Sequence, residues 1–346
     1  MVETSCQREP VLARMRGVAI AVALRLEVPM RQLDTVFMFS GQGSHYFQMG
    51  RALFEQNGVF RASMLRMDGI VRELCGFSVV ETVYNEKHSK AESFDRVLLT
   101  HPAIFMVEYS LAQSLIRAGV VPDVTLGASL GSFAAAAVAG LIDVEDALMA
   151  VIRQASTIAD RCEPGGMIAI LADPATYAED FLAKHSELAA INFSSHFVVA
   201  AHEPCLARIE LGLRQRNMTC QRLPVSFAFH SRWIDGAEAP FKASMKSIRS
   251  KTGKIPLVCC DRAERLSDLP DGYFWSVTRR PIRFREAIAH MEEKGAYRYI
   301  DVGPAGTLAT FLRYGLPNTS ASKVHAILTP YGRDVQNLAA LTAAQP

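Results

Sequence analysis

Apolar and polar residues follow two different spacings along this chain, and the change from one to the other predicts its secondary structure. Compact apolar runs, typical of buried strands, occur at 35–39, 124–126, 255–260 and 297–302. Apolar residues at helical spacing occur between these runs, at 49–60, 61–75, 103–119, 144–160 and 284–294. Strands that alternate with helices indicate an α/β domain, because helices then cover both faces of the sheet.

The segment 164–227 has a pattern of its own within this domain. Its strand-like runs lie at 167–171, 188–193, 197–201 and 219–229, and its helical stretches lie at 174–185 and 204–217. The order βαββαβ is the ferredoxin-like arrangement. We therefore predict a large α/β domain over 35–163 and 228–330, a ferredoxin-like small domain inserted at 164–227, and a C-terminal tail at 331–346.

The first 34 residues carry no pattern that belongs to a core element. An apolar stretch at 17–24 faintly resembles a signal peptide, but it is short, and the charged residues Arg25 and Glu27 come directly after it. We interpret 1–34 as an N-terminal extension. Met30, just before the first predicted strand, is a candidate for the native start.

Composition narrows the class of protein. Of 346 residues, 49% are hydrophobic and 21% are charged, and the net charge of +2 gives no reason to expect a nucleic-acid or membrane partner. The seven cysteines are odd in number and lack Cys-x-x-Cys spacing, which favours reduced thiols over a zinc site or a disulfide framework. We expect a cytoplasmic monomer without a bound metal.

The stretch 124–140 carries the strongest chemical signal. A short apolar run leads into Gly127-Ala128-Ser129-Leu130-Gly131, and an alanine-rich helix comes next. Gly-x-Ser-x-Gly alone occurs in many turns, but between a strand and a helix it is the nucleophile-elbow pattern. A serine at this apex lies at a helix N-terminus, where the N–H of Leu130 and the helix dipole can stabilise an oxyanion.

Two other residues have chemistry that a serine nucleophile needs. Gln42 lies between two glycines in the loop after the first strand, where it offers an amide donor on a backbone that can approach a substrate closely. That loop lacks the third glycine and the lysine of nucleotide-binding sites, so a simple turn is the alternative. His230 ends a long extended run and could act as the base, although a lone histidine there is as often structural.

Four motifs together resemble one family. They are Gly41-Gln42-Gly43-Ser44, Gly127-Ala128-Ser129-Leu130-Gly131, Phe227-Ala228-Phe229-His230-Ser231 and Asp301-Val302-Gly303-Pro304. In this order and spacing they are similar to the malonyl-CoA:acyl-carrier-protein transacylases, which include the acyltransferases of polyketide and fatty-acid synthases. The resemblance runs from about Phe37 to about Leu312. It implies an α/β-hydrolase-like large domain with a ferredoxin-like insertion, and a Ser–His dyad whose histidine is oriented by main-chain carbonyls.

The resemblance also implies a role for individual residues. Ser129 is matched as the nucleophile, His230 as the general base and acid, and Gln42 with the Leu130 N–H as the oxyanion-hole donors. Asn192 matches a family asparagine near the active-site cleft, and Phe229, beside the histidine, is expected to contact substrate. The substrate is an acyl-CoA or phosphopantetheine thioester, no cofactor is implied, and the partner is an acyl carrier protein of a polyketide synthase.

Three departures from the family pattern bear on the substrate. Members that load malonyl groups carry an arginine 25 residues after the serine, and this chain has Gln154 there. Ala128 replaces the usual histidine before the nucleophile, and His101 replaces a usual glutamine. An arginine grips a free carboxylate through paired hydrogen bonds, and a buried carboxylate without a cation costs several kcal/mol. We expect Gln154, Ala128 and His101 to belong to a pocket for uncharged acyl groups; neutral drift within a malonyl enzyme is the alternative.

Three functions remain open at this stage. The leading hypothesis is a free-standing acyl hydrolase that removes short neutral acyl groups, such as acetyl, from stalled carrier proteins. The second is a transferase that moves a neutral or unusual acyl group between CoA or carrier-protein thiols. The third is a non-catalytic docking partner descended from the family, against which the intact Ser129, His230 and Gln42 argue.

Overall fold

Ten strands in the described part of the chain form two sheets. The computed structural model describes Met1 and residues 33–343, so the predicted extension, including Met30, lies almost wholly outside the described residues. The strands are β1 (Asp34–Phe39), β2 (Val124–Gly127), β3 (Gly165–Ile170), β4 (Glu187–Phe193), β5 (His196–His202), β6 (Cys220–Arg222), β7 (Leu257–Cys259), β8 (Glu264–Leu266), β9 (Tyr297–Asp301) and β10 (Lys323–Ala326).

The larger sheet has the strand order β10-β9-β1-β2-β7-β8. All neighbouring pairs are parallel except β7 and β8, which are antiparallel. The register sets Phe39 of β1 beside Gly127 of β2, and Met38 beside Asp301 of β9. The carboxyl ends of these three strands therefore meet at one edge, where ligands bind in open α/β sheets.

Thirteen α-helices accompany these strands in the described residues. They are α1 (Arg51–Gln56), α2 (Gly58–Cys75), α3 (Val79–Val83), α4 (Val97–Arg117), α5 (Gly131–Val138), α6 (Val144–Arg161), α7 (Asp180–Ala183), α8 (Glu203–Gln215), α9 (Glu238–Ser244), α10 (Tyr273–Arg279), α11 (Phe284–Glu292), α12 (Thr307–Gly315) and α13 (Asp334–Ala343). Short 3-10 helices occur at Pro174–Ala178, Arg232–Ala237 and Met245–Ser247. None of the helices in this part of the chain is long and apolar enough to cross a membrane.

Two apolar clusters hold the larger sheet between layers of helices. Along β1, Phe37 and Phe39 belong to the cluster that includes α4 and α5, while Val36 and Met38 belong to the cluster that includes α11 and α12. Side chains of a strand alternate between its two faces, so a strand covered on both sides is apolar throughout. Burial of each such side chain stabilises the fold by about 1.5–3 kcal/mol.

The smaller sheet is antiparallel with the order β4-β5-β3-β6. In chain order its elements are β3, α7, β4, β5, α8 and β6, which is the predicted ferredoxin-like arrangement. Helix α8 buries Leu206, Ile209 and Leu213 in a cluster with Ile168 of β3 and Val199 of β5. Only 220–222 of the predicted strand at 219–229 pairs as a strand; the rest approaches His230 as irregular backbone.

The segment predicted as a C-terminal tail contains helix α13, which is a correction to that prediction. Its Leu338 and Leu341 are buried in the same cluster as Phe37 and Phe39. The sequence did not indicate this packing, because the alanine-rich segment offers few large apolar residues for a helical pattern. At the other end, Asp34, assigned to the extension, is already the first residue of β1.

Candidate active site

Ser129 lies in the turn between β2 and α5, where the nucleophile-elbow pattern predicted a tight bend. Its φ is 55°, in the left-handed region that non-glycine residues rarely adopt. A β-carbon at position 127 would overlap the Cα of Ser132, and one at position 131 would overlap the carbonyl oxygen of Phe39. The two flanking glycines are therefore required by how closely the helix approaches the strands.

His230 contacts Ser129 directly. The distance from Ser129 Oγ to His230 Nε2 is 2.8 Å, and His230 Nδ1 lies 2.7 Å from the main-chain carbonyl oxygen of Arg280. Because a carbonyl only accepts, the Nδ1–H donates to it, and Nε2 is left to accept from the serine hydroxyl. Like Ser129, His230 has a left-handed backbone, with φ 61°, and its main-chain N–H donates to the Thr278 carbonyl at 3.2 Å.

Burial sets the protonation state of this histidine. It lowers the pKa of His230 to about 4, and the Arg280 carbonyl and the more distant Asp261 offset only part of this effect. At neutral pH the imidazole is therefore uncharged. A neutral Nε2 beside a hydroxyl is the arrangement in which a histidine can accept the serine proton.

The loop after β1 approaches the serine from the other side. A β-carbon at Gly41 would lie 2.8 Å from Ser129 Cβ, so only glycine allows this approach. Among the described residues, the main-chain N–H groups of Gln42 and Leu130 donate no hydrogen bond to another main-chain group. The side-chain amide of Gln42 instead donates to Thr100 Oγ1 at 3.2 Å. The main-chain N–H of Gln42, which has no main-chain acceptor among the described residues, can therefore donate to a substrate oxygen.

A cavity of about 250 Å³ opens beside Ser129 and His230, between the ends of β1 and β2 and the smaller sheet. Its wall is mostly apolar, with Met167, Ala190, Val198, Leu223, Phe229, Ile282, Leu308 and Phe311. The described residues that line it include no Asp, Glu, Lys or Arg. Its polar groups are small hydroxyls, amides and two histidines.

The second histidine of this wall is His196, which our sequence reasoning missed. Asn192 Nδ2 lies 3.0 Å from His196 Nδ1 and donates to it, so His196 Nε2 carries the proton. Burial lowers the pKa of His196, which favours its neutral form. No local pattern marks this residue, because a histidine at the start of a strand has no motif around it.

The structure brings most of the predicted site residues together, and two lie elsewhere. Around the cavity are Ser129, His230, Gln42, Ala128, Asn192 and Phe229, with Leu130 next to the serine in the turn. Gln154 and His101 do not line the cavity, which corrects our expectation that they belong to the acyl pocket.

Gln154 and His101 form a buried layer behind the wall. The Gln154 amide nitrogen donates to Thr278 Oγ1, and the Thr278 carbonyl in turn accepts from the His230 N–H. His101 packs against Phe229, with ring centroids 5.5 Å apart, and burial lowers the pKa of His101 to about 3. Gln154 is thus linked to the dyad through Thr278, whose hydroxyl accepts from the Gln154 amide and whose carbonyl accepts from the His230 N–H.

A protein metal site needs several ligating side chains close together. Within residues 33–343, no group of three or more His, Cys, Asp or Glu side chains is arranged to hold a metal ion.

Comparison with known proteins identifies the family. Residues 36–345 match the acyl transferase domain family. This chain belongs to that family. The acyltransferase is 44% identical over 304 residues to the polyketide biosynthesis acyltransferase homolog BaeD of Bacillus velezensis, and 43% identical over 304 residues to the homolog PksD of Bacillus subtilis. Each alignment covers 88% of this chain and 94% of the relative.

A solved structure supports the fold of this acyltransferase. The acyl transferase domain of SpnD, solved in complex with 2-(pent-4-yn-1-yl)malonyl, superimposes with a TM-score of 0.83 at 26% identity. The match covers 91% of this chain and 77% of that one. The predicted fold class, an α/β-hydrolase-like large domain with a ferredoxin-like small domain, is confirmed. The relatives support an acyltransferase role in polyketide biosynthesis.

Proposed function

We propose that this acyltransferase hydrolyses short neutral acyl groups, such as acetyl, from acyl carrier proteins of a polyketide synthase through an acyl-Ser129 intermediate. The observation that carries the proposal is the uncharged wall of the cavity beside the Ser129–His230 pair. The substrate is the thioester of a phosphopantetheine arm, and the chemistry needs no cofactor.

The geometry suggests a reaction in two stages. His230 Nε2 takes the hydroxyl proton as Ser129 Oγ attacks the thioester carbonyl carbon, and the oxyanion receives hydrogen bonds from the Leu130 and Gln42 main-chain N–H groups. The C–S bond breaks, the thiolate takes the proton from His230, and an acyl ester remains on Ser129. Water then attacks this ester with His230 again as base, and the acid leaves as Ser129 recovers its proton.

The uncharged wall favours neutral acyl groups over malonyl. A carboxylate that enters a buried site without a cation loses several kcal/mol of hydration that nothing there replaces. Each 1.4 kcal/mol corresponds to about a tenfold difference in binding, so the resulting discrimination is about 10²-fold or more. Gln154 stands where malonyl-loading members of the family carry an arginine. It lies behind the wall and brings no positive charge to the dyad.

A transferase is the second candidate, and the names of the relatives favour it. BaeD and PksD are both described as acyltransferase homologs, and transfer requires the same dyad and the same acyl-enzyme. The difference lies in whether water or a second thiol takes the acyl group from Ser129. A non-catalytic docking partner is less consistent with a hydroxyl and a neutral imidazole 2.8 Å apart.

The test is to incubate the protein with acetyl-carrier protein and follow the masses of both proteins, with and without an acceptor thiol. Hydrolysis predicts many turnovers of free acetate and of unloaded carrier protein when no acceptor is present. If each protein molecule instead retains one acetyl group until the acceptor is supplied, it is a transferase. Absence of any acetylated protein or released acetate would reject both enzymatic functions.

A further inference from the structure

A buried carboxyl group contacts the start of the loop that carries Gln42. Glu108 lies in α4 and is fully buried. Its Oε1 accepts from the main-chain N–H of Ser40 at 2.7 Å and from Ser40 Oγ at 3.1 Å. Ser40 follows the last residue of β1 and is itself buried.

This contact lies where the chain leaves the sheet. At the end of β1, the carbonyl of Phe39 still accepts from the Ala128 N–H at 3.0 Å, but Ser40 has left the strand pairing. A buried N–H without a partner is unfavourable, and Glu108 supplies that partner. The next residue, Gly41, is held against Ser129, so movement of Ser40 would be transmitted to the oxyanion donor on Gln42.

The carboxyl acts from behind the loop. Glu108 is not among the residues that line the cavity, so it does not contact the substrate. Burial, with a smaller contribution from Asp301, raises the pKa of Glu108 well above its usual range. A neutral acid keeps one carbonyl oxygen as an acceptor, and the amide of glutamine offers an acceptor of the same geometry.

We propose that Glu108 is a positioning residue of the oxyanion hole: it holds the Ser40 main-chain N–H and thereby sets the distance of the Gln42 N–H from the carbonyl attacked by Ser129. This inference rests on the proposed acyl-Ser129 chemistry. It does not depend on whether water or a thiol completes the reaction.

The experiment compares Glu108→Met, which keeps the length of the side chain but not its acceptor, with Glu108→Gln, which keeps both. Ser110→Ala is the matched control, because Ser110 is equally buried on the same helix and its hydroxyl has no hydrogen-bond partner among residues 33–343. The first readout is hydrogen exchange of the peptide around Ser40–Ser44. The second is the rate of acylation by p-nitrophenyl acetate and by its thiono analogue, in which sulfur replaces the carbonyl oxygen, with each rate divided by the concentration of active sites.

The thiono ester is a sensitive probe because its sulfur receives weaker hydrogen bonds than oxygen does. In Glu108→Met we expect faster exchange at 40–44, an unchanged KM, and a kcat for the oxygen ester reduced about tenfold or more, less than the loss from removing an oxyanion donor outright. The oxygen-to-thiono rate ratio should fall by a similar factor. Glu108→Gln and Ser110→Ala should keep wild-type exchange and ratio.

Several results would overturn the proposal. One is an oxygen-to-thiono rate ratio in Glu108→Met equal to that of the wild type, which would make the contact merely structural. Another is a fall of the oxygen-to-thiono rate ratio in Glu108→Gln, which keeps the acceptor. If Glu108→Met does not fold, the ratio in Glu108→Gln decides the matter. If the wild type is acylated by neither ester, the proposed function fails, while hydrogen exchange at 40–44 still shows whether Glu108 holds the loop.

Discussion

Ser129 and His230 share an unusual backbone conformation at the point where they meet. Their φ values of 55° and 61° each cost about 1–3 kcal/mol for a residue with a side chain, so the surrounding structure must impose them. For Ser129 the constraint is the tight approach of α5 to β1 and β2. For His230 it is a pair of main-chain contacts, to the carbonyls of Thr278 and Arg280.

Removal of either member of the pair should abolish the chemistry without unfolding the protein. Ser129→Ala should form no acyl-enzyme, and His230→Ala should lower turnover by at least ~10³-fold because the hydroxyl loses its base. Intact-mass and peptide mapping after incubation with an acyl thioester should place one acyl group on Ser129. Acylation of Cys162 instead would contradict the assignment; burial raises the pKa of that thiol, which disfavours its reactive thiolate.

The pH profile of acylation should extend to unusually low pH. His230 must be neutral to accept the serine proton, and its pKa is about 4 in the folded protein. The rate should therefore be retained as pH falls through about 6.5, the ordinary value for histidine, and be lost only near pH 4. The measurement is kcat/KM for p-nitrophenyl acetate against pH, with circular dichroism as the control for folding. A midpoint near 6.5 would mean that the base is not this buried histidine.

At the scale of elements, the elbow depends on how closely helix α5 approaches strand β1. Ala134, Ala135 and Ala136 of α5 are buried, and no β-carbon can be accommodated at Gly131 because the Phe39 carbonyl occupies that space. The same short approach brings the Ser129 turn beside the loop of Gln42. Helix packing and the proposed oxyanion hole thus depend on the same contact.

Gly131→Ala should therefore reduce stability and activity together. Overlap with rigid main chain is expected to cost about 3 kcal/mol, at the upper end of the range for overpacked sites. The control is Gly69→Ala in α2, where a new β-carbon meets nothing within 4 Å and should stabilise the helix by about 0.5–1 kcal/mol. Chemical denaturation measures both. A Gly131→Ala variant as stable as the wild type would show that the elbow can relax.

The sequence predicted elements where the local pattern is strong. The strand–glycine–helix pattern at 124–140 gave β2, the turn and α5 in the right order, because each depends on neighbouring residues. It did not predict the break at Asn57, which ends α1 and caps α2 through its side chain, within a segment whose apolar spacing continues. It also missed the packing of α13, since few of its residues are large and apolar.

The candidate site was predictable only in part, for a similar reason. Motifs identified Ser129, His230 and Gln42 because each stands in a recognisable local context. The resemblance implied that main-chain carbonyls orient His230, but every residue carries a carbonyl, and no sequence pattern shows that the partner of Nδ1 is the carbonyl of Arg280. Gln154 shows the other limit: the sequence shows that the arginine is absent, but not that the glutamine turns to Thr278.

At the scale of the whole molecule, the cavity lies where the edge of the large sheet faces the small sheet. Its wall draws on β3, β4 and β5 as well as on the loops after β1 and β2. Two neighbouring histidines near this cavity, His45 and His101, are deeply buried, and burial holds them neutral. Burial lowers the pKa of His45 to about 4 and that of His101 to about 3. These groups connect the site to the stability of the fold.

Buried histidines should make the fold sensitive to acid. The pKa of His101 is lower in the folded chain than the ordinary 6.5, so the unfolded chain binds its proton first and stability falls as pH drops below about 6.5. At about pH 5 this corresponds to roughly 2 kcal/mol. His101→Gln has no imidazole to protonate at this position. The free energy of unfolding of this variant, relative to that of the wild type, should therefore be roughly 2 kcal/mol higher at about pH 5 than at about pH 7.5. Urea unfolding measures the stability of both proteins, and a difference between them that does not change with pH would contradict this prediction.

An uncharged acyl pocket beside Ser129 should discriminate against malonyl, and acyl selectivity tests for this pocket most directly. The measurement is the initial rate at which acetyl- and malonyl-carrier proteins lose their acyl groups to the wild-type protein, followed by intact mass. We expect acetyl to be processed about 10²-fold faster or more, because no Lys or Arg among the described residues lines the cavity to receive the malonyl carboxylate. Equal or faster processing of malonyl would contradict the account, since it would require a cationic contact that the described wall does not contain.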